Sequence, residues 1–384
     1  MPVEMATAVG TSTMEITVSK FELLRELTAT QGVVERKTTI PILSNYLFEA
    51  AADRLSLTAT DLDLSLRTSC AAKVKKDGAC TIPARKLHDY VKLLPDADIT
   101  IKLLENHWVS IRCGRSNTKM VGMARSNFPT LPVFPATGAI KIPAQVLRSM
   151  IAKTGFAIAN EESRYTLNGA LMVLKPESIT MVATDGHRLA HIERSGEKFD
   201  GVSGEMKTLI PKKCMDELKS LVDSTDVEVI EFAKDESTLF FRIGPRLLTS
   251  RQLTGQFPNY EAVLPKDNNK LVTVHADELN SAIQRVAQFA DERSRAVRLR
   301  LDKGELKISA SSTETGESED SLETSYNGDA LTVGFNAQYL LDFLKAAGSG
   351  EVRLELKDPQ SAGQLRPGEG DEYKYRYIVM PMRI

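Results

Sequence analysis

Residues 140–152 read IKIPAQVLRSMIA. Ile140, Lys141 and Ile142 alternate apolar and basic, Pro143 interrupts, and Val146, Met150 and Ile151 then recur at helical spacing. A short strand feeding an amphipathic helix follows from that pattern. The same pattern stands at 16–28 (ITVSKFELLRELT), where Phe21, Leu24 and Leu27 mark the expected apolar stripe, and at 271–287 (LVTVHADELNSAIQRVA). The starts lie 124 and 131 positions apart. A second strand-into-helix unit recurs at 80–94 (CTIPARKLHDYVKLL), 207–221 (KTLIPKKCMDELKSL) and 331–344 (LTVGFNAQYLLDFL), with offsets of 127 and 124.

Between these units lies a hairpin, LSLTATDLDLSL (55–66), ITMVATDGHRLA (179–190) and LKISASSTETGE (306–317). Three elements therefore keep their order and spacing three times, which makes the chain a tandem array of one unit of about 120 residues. Leu55, Leu57 and Ala59 alternate with Ser56, Thr58 and Thr60, the signature of a sheet with one covered face. The expected fold class is α+β, with helices packed on one side of antiparallel sheets. Turn signals at Pro95-Asp96, Asn168-Gly169, Asp185-Gly186, Asn327-Gly328 and Gly348-Ser349-Gly350 punctuate it. Boundaries are expected after two Pro-containing stretches, FPTLPVFPATG (128–138) and FPNYEAVLPKDNN (257–269), which read as extended linkers. The division is then an extension over 1–13 and units over 14–137, 138–269 and 270–384.

The 384 residues are 42% hydrophobic and 26% charged, which fits several globular domains and excludes a disordered or coiled-coil chain. Cys70, Cys80, Cys113 and Cys214 form no C-x-x-C pair, and a reducing cytoplasm is the expected setting. No apolar run reaches a membrane span and no signal-peptide pattern opens the chain. The net charge of −2 argues against a nucleic-acid binder held by bulk charge. Taken by unit, however, the balance is +4, −1 and −4, and much of the acidity of the last unit lies in TETGESEDSLE (313–323), expected to be a solvated loop.

Arg85 and Lys86 follow Pro83, and Lys212 and Lys213 follow Pro211, in the first turn of expected helices whose first position suits the proline. Cations there oppose the helix dipole, so an external phosphate is one compensating partner and open solvent the other. Arg36-Lys37, in a loop, is a further candidate of the same kind. Phosphate-loop, dinucleotide, zinc-protease and nucleophile-elbow motifs are absent from the sequence. His187 and His191 share a strand face without further metal ligands, and Asp185 reads as a turn-stabilising residue, since Asp61 holds the same place in the first repeat without a histidine. The C-terminal YIVMPMRI (377–384) is an apolar strand whose end carries two methionines around Pro381, suited either to a core or to a peptide-binding groove.

TIPIL (39–43), LTATDLDL (57–64), IPARKL (82–87), RYTLNGALM (164–172), VATDGHRLA (182–190), FPNYEAVLP (257–265), AVRLRL (296–301) and YIVMPMRI (377–384) together resemble the family of bacterial DNA polymerase III beta subunits, the beta sliding clamps. The resemblance runs in order from about Met14 to Ile384. It implies three clamp-fold domains, a head-to-tail homodimeric ring around double-stranded DNA with helices lining the hole, no catalytic site, no metal and no cofactor. It implies as partners the replicative polymerase alpha subunit, the clamp loader, repair and translesion polymerases, and mismatch-repair and ligase-type clamp-binding proteins. The setting it implies is cytoplasmic, nucleoid-associated during replication.

Carried over by position, the family's DNA contacts fall on Lys37, Arg85, Glu161, Tyr165 and Thr166, beside the basic candidates Arg36, Lys212 and Lys213. Lys37 keeps a charge where an arginine is familiar, Thr166 gives up a ring, and Glu161 sets an anion where a glutamine is familiar. The partner-peptide groove falls on Leu167, Thr184, Gly186, His187, Arg188, Leu189, Pro258, Val263, Ser361, Val379, Met380, Pro381, Met382 and Arg383, with Ala262 where a cation is familiar. Dimer contacts fall on Lys86, Met120 and Phe289. Two competing readings are a hydrolase built on Asp185, His187 and Arg188, and a monomeric peptide-binding scaffold.

Overall fold

The computed structural model describes residues 13–35, 38–161, 163–196, 198–368 and 372–383. Six α-helices occur among them: α1 Lys20–Thr30, α2 Ala84–Leu93, α3 Ala144–Thr154, α4 Lys212–Ser224, α5 Ala276–Ala287 and α6 Ala337–Ala347. Each follows directly on a strand, as the six strand-into-helix patterns predict. Where a capping side chain is available the chain uses it: Ser19 Oγ accepts from the Glu22 N–H at 3.2 Å and Asn336 Oδ1 from the Gln338 N–H at 2.9 Å. Pro83 and Pro211 sit one position earlier than expected. Both close their strands, opposite Asn45 and Gly169, where a missing N–H costs no ladder bond, and the helices begin at Ala84 and Lys212.

The chain forms two compact units that cut across the repeat boundaries, one comprising residues up to 139 with 220–251, the other 140–219 with 252–384. The cause is strand pairing between repeats. In the first unit Leu64–Ala71 pairs antiparallel with Arg246–Arg251, in register Leu66 to Leu248. In the second, Arg188–Ser195 pairs with Lys374–Val379, in register Leu189 to Ile378, inside an eight-stranded sheet. The second unit also holds a four-stranded sheet ordered Gly316–Glu323, Glu305–Ser312, Ala296–Asp302, Leu331–Asn336. The first has a five-stranded sheet ordered Lys73–Lys76, Glu15–Ser19, Asp98–Leu103, Trp108–Cys113, Ser116–Val121.

Three further expectations are corrected. On α1 the buried face is Leu23, Glu26, Leu27 and Thr30, while Phe21 is exposed and Leu24 half-buried. The helix is turned because Glu26 has partners inside, Arg246 Nε at 3.0 Å and Thr68 Oγ1 donating at 2.6 Å, while the exposed Arg25 reaches it from outside, its Nε at 2.7 Å. Burial works against this carboxylate, but the hydrogen bonds from Arg246, Thr68 and Arg25 outweigh it and hold its pKa below the usual value.

Of residues 313–323 only 313–315 form a turn. Gly316–Glu323 is an edge strand, its exposed column of Glu317, Glu319, Ser321 and Glu323 keeping a free edge in water. Nor do the Pro-containing stretches hang free. Phe128 and Leu131 pack on Ile42, Leu43 and Leu47, and Leu253, Phe257, Tyr260 and Leu264 pack on Leu171, Val173, Val182, Leu189 and Ile378. Parts of both sheets are therefore covered on two faces, which is why Thr58 and Thr60 are buried despite the alternation of their strand.

Candidate functional site

The hairpin turn of the middle repeat organises the candidate groove. Asp185 Oδ1 accepts from the N–H groups of His187 at 2.9 Å and Arg188 at 3.1 Å, and Thr184 Oγ1 donates to the Arg188 carbonyl at 2.6 Å. This is the turn role expected of the aspartate; Asp61 Oδ1 does the same for Asp63 and Leu64 in the first repeat. Gly186 has φ of 89°, and a Cβ there would stand 2.8 Å from Arg164 Nη1, which donates to the Asp185 carbonyl.

The chain end joins this turn through backbone bonds. Lys374–Val379 is a central strand beside Arg188–Ser195; past its end, the Met380 N–H donates to the His187 carbonyl at 2.9 Å and the Met382 N–H to the Gly334 carbonyl at 2.8 Å. Pro381 falls two residues beyond the strand, where it breaks no ladder. Around this junction Leu189, Val379 and Thr184 are buried, Gly186, His187, Pro258, Val263, Met380 and Arg383 are exposed, and Leu167, Pro381 and Met382 are half-buried. Ser361, also half-buried, is tied by its Oγ to Asp358 at 2.7 Å. Ala262 is exposed beside Val263.

Arg188 behaves differently from its neighbours. Its side chain is 9% exposed and its guanidinium is held by Asp185 Oδ2 at 3.0 Å, Asp342 Oδ2 at 2.5 Å and the Phe156 carbonyl at 2.6 Å, with the Tyr339 ring 4.4 Å away. It pins the turn to α6 and to the segment after α3. Sequence reasoning had no access to Asp342 or Tyr339, which stand more than 150 positions from Arg188. Both oxygens of Asp185 are engaged, so it offers no free base beside His187. His191 is buried against Tyr260, ring centroids 5.6 Å apart, and burial pushes its imidazole pKa down, towards the neutral form.

Among the basic candidates, Arg36 and Lys37 lie outside the described residues. Arg85 and Lys86 are exposed in the first turn of α2, whose start has no side-chain cap. Lys212 is half-buried and 4.0 Å from Asp216, and Lys213 is exposed. Glu161 is ion-paired with Arg164 at 3.2 Å, which offsets the anion that the sequence sets there. Tyr165 is 54% exposed on a single 3-10 turn, Tyr165–Leu167, with Thr166 half-buried. Met120 is buried at 7% exposure on the edge strand Ser116–Val121, and Phe289 is half-buried just after α5.

Among the described residues no group of three or more His, Cys, Asp or Glu side chains is placed to hold a metal. No helix among them is long and apolar enough to cross a membrane. All four cysteines are buried thiols, and burial pushes Cys70 and Cys80 up to about 12.

Family models for the N-terminal, central and C-terminal domains of the DNA polymerase III beta subunit match residues 14–132, 141–259 and 261–383. The beta sliding clamp of Pseudomonas aeruginosa is 35% identical over 373 residues, covering 97% of this chain and 100% of the relative. That of Caulobacter vibrioides is 34% identical over 381 residues, with the same coverage. The crystal structure of a sliding clamp (DNA polymerase III subunit beta) from Bartonella birtlesii bound to griselimycin superposes with a TM-score of 0.91 at 32% identity, covering 97% of this chain and 100% of that one. With three consecutive domain matches and relatives aligned over their whole length, the chain belongs to the DNA polymerase III beta subunit family, the beta sliding clamps.

Proposed function

We propose that this chain is a non-enzymatic processivity factor: a head-to-tail homodimer that closes around duplex DNA and tethers the replicative polymerase alpha subunit. The clamp loader, repair and translesion polymerases, and mismatch-repair and ligase-type proteins are its other partners. In this reading 14–137, 138–269 and 270–384 are its three domains. The observation that carries it, beyond family membership, is the junction at which the chain end bonds to the turn Thr184–Leu189, through the Met380 N–H on the His187 carbonyl and the pairing of Val379 with Arg188. An extended apolar peptide would be received there by the accessible Pro258, Val263, Met380 and Met382, backed by the buried Leu189 and Val379.

Enclosure replaces affinity. A ring that is topologically linked to DNA needs only weak, sequence-blind phosphate contacts, many of them through water, so a near-neutral chain suffices. Arg85 and Lys86 at the start of α2, Tyr165 and Thr166, and Lys212 and Lys213 are the residues proposed to make them, with Arg36 and Lys37. Glu161, paired with Arg164, adds little repulsion.

Two free sheet edges support the head-to-tail dimer. Ser116–Val121 closes one sheet and carries Lys119; Gly316–Glu323 closes another and carries Glu317, Glu319 and Glu323. Pairing them across two copies would satisfy both edges, match opposite charges and bring Met120 towards Phe289. The test is primer extension by the cognate polymerase and loader on a circular single-stranded template. Long products that require the chain support the reading; product lengths unchanged by its addition refute it.

A further inference from the structure

Beside the free edge strand Ser116–Val121 lies an open cavity of about 1170 Å³ lined by Trp108, His107, Lys102 and Lys119. Trp108, the single tryptophan of the sequence, is 43% exposed, and Val121, directly opposite it across the last strand pair, is 54% exposed. Both project from the same sheet face as Lys119, away from the core side held by Val109, Ile111 and Met120. The position of the indole is fixed by the three-residue turn Glu105–His107, in which Asn106 and His107 have φ of 53° and 61°, the Leu104 N–H donates to the Trp108 carbonyl at 2.7 Å and the Gly122 N–H to the His107 carbonyl at 2.9 Å. A rigidly held tryptophan and valine next to an unpaired edge are costly to leave in water.

We propose that Trp108 and Val121 form the outer half of the seam between two copies of this chain, covering the partner's edge strand Gly316–Glu323. This rests on the head-to-tail reading and extends it, since the seam would then be apolar on both faces: Met120 within, Trp108 and Val121 without. Three observations select a second copy as the occupant. Among the described residues the only strand between Trp108 and the sheet edge is Ser116–Val121, and strands lie about 4.8 Å apart, so a strand added to the edge falls roughly 10 Å from the Trp108 backbone, within reach of an indole laid over Val121. The edge strand Gly316–Glu323 supplies an exposed acidic column. Lys119, exposed on the edge strand itself, supplies the opposite charge on the face that column would meet.

Because the sequence has one tryptophan, its fluorescence reads this seam alone. In the full chain, dilution through the dimer–monomer transition, followed in parallel by sedimentation, should shift the emission to longer wavelength as the indole is exposed. Trp108→Ser should weaken dimerisation roughly ten- to hundredfold, as expected for truncating an aromatic that becomes buried at the seam, with Trp108→Phe retaining most of it. A dimer whose emission is unmoved by dissociation, or whose dissociation constant is unmoved by Trp108→Ser, overturns this assignment and leaves the dimer intact. A wild-type chain that stays monomeric at every concentration overturns the head-to-tail reading and the seam with it. The wild-type emission experiment needs no variant to fold.

Discussion

Replacing Arg246 by methionine removes the main buried partner of Glu26 while keeping most of the side-chain volume. Glu26 is fully buried and Arg246 is 4% exposed, so neither charge can turn to water. The guanidinium gives Glu26 two hydrogen bonds, from Nε at 3.0 Å and Nη2 at 3.2 Å, and also donates to Thr225 Oγ1 at 2.7 Å. Breaking a buried pair from one side costs about 3–5 kcal/mol, because the other charge is stranded. Here Arg25 and Thr68 remain on the carboxylate, which sets the expected loss at the low end, about 3 kcal/mol. In a unit of this size that lowers the melting transition by about 6–12 °C. The pair links α1 to Arg246–Arg251, so hydrogen exchange should quicken in both segments first. Glu26→Gln combined with Arg246→Met should recover much of the loss, giving a coupling energy above about 1 kcal/mol in a double-mutant cycle. Calorimetry on the four proteins is the assay. A loss below about 1 kcal/mol for Arg246→Met, or additive single effects, would refute the view that this pair holds the first unit together.

Other consequences follow from the same structure. Because the folded pKa of Glu26 is depressed, its contribution is present above the unfolded carboxylate value and is lost as pH falls through the folded one; Glu26→Gln should flatten the acid side of the stability curve, and an unchanged slope would contradict it. Gly186→Ala must place a Cβ 2.8 Å from Arg164 Nη1 at φ of 89°, which should cost about 1–2 kcal/mol and weaken capture of a polymerase peptide, measurable by calorimetric titration. Deleting Met382–Ile384 should abolish polymerase stimulation while the ring still loads; unchanged stimulation would refute the groove assignment.

What the sequence made legible was local. Six strands ran into helices where spacing placed them, and Asp185 and Asp61 both cap their turns, because these depend on neighbours a few residues away. Pairing between Leu64–Ala71 and Arg246–Arg251 left no signal, since the register of remote strands is written in neither strand alone. Glu26 was hidden for the same reason: a carboxylate on an apolar face reads as an exposed position until Arg246 is known to reach it. The acidic run 313–323 misled in the opposite direction, because charge marks exposure and not the absence of a strand. Of the groove, the chain end and the turn were visible as motifs. Their junction, and the Arg188–Asp342 contact that braces it, required the fold.

Closure around DNA is measured most directly by loading the chain with its clamp loader onto nicked circular duplex and then linearising the DNA. A ring held by topology should co-elute with the circle through high salt and be released once the DNA is cut. Retention that is equal on circular and linear DNA, or that is lost on the intact circle as salt rises, would show a protein that binds DNA by contact and does not enclose it.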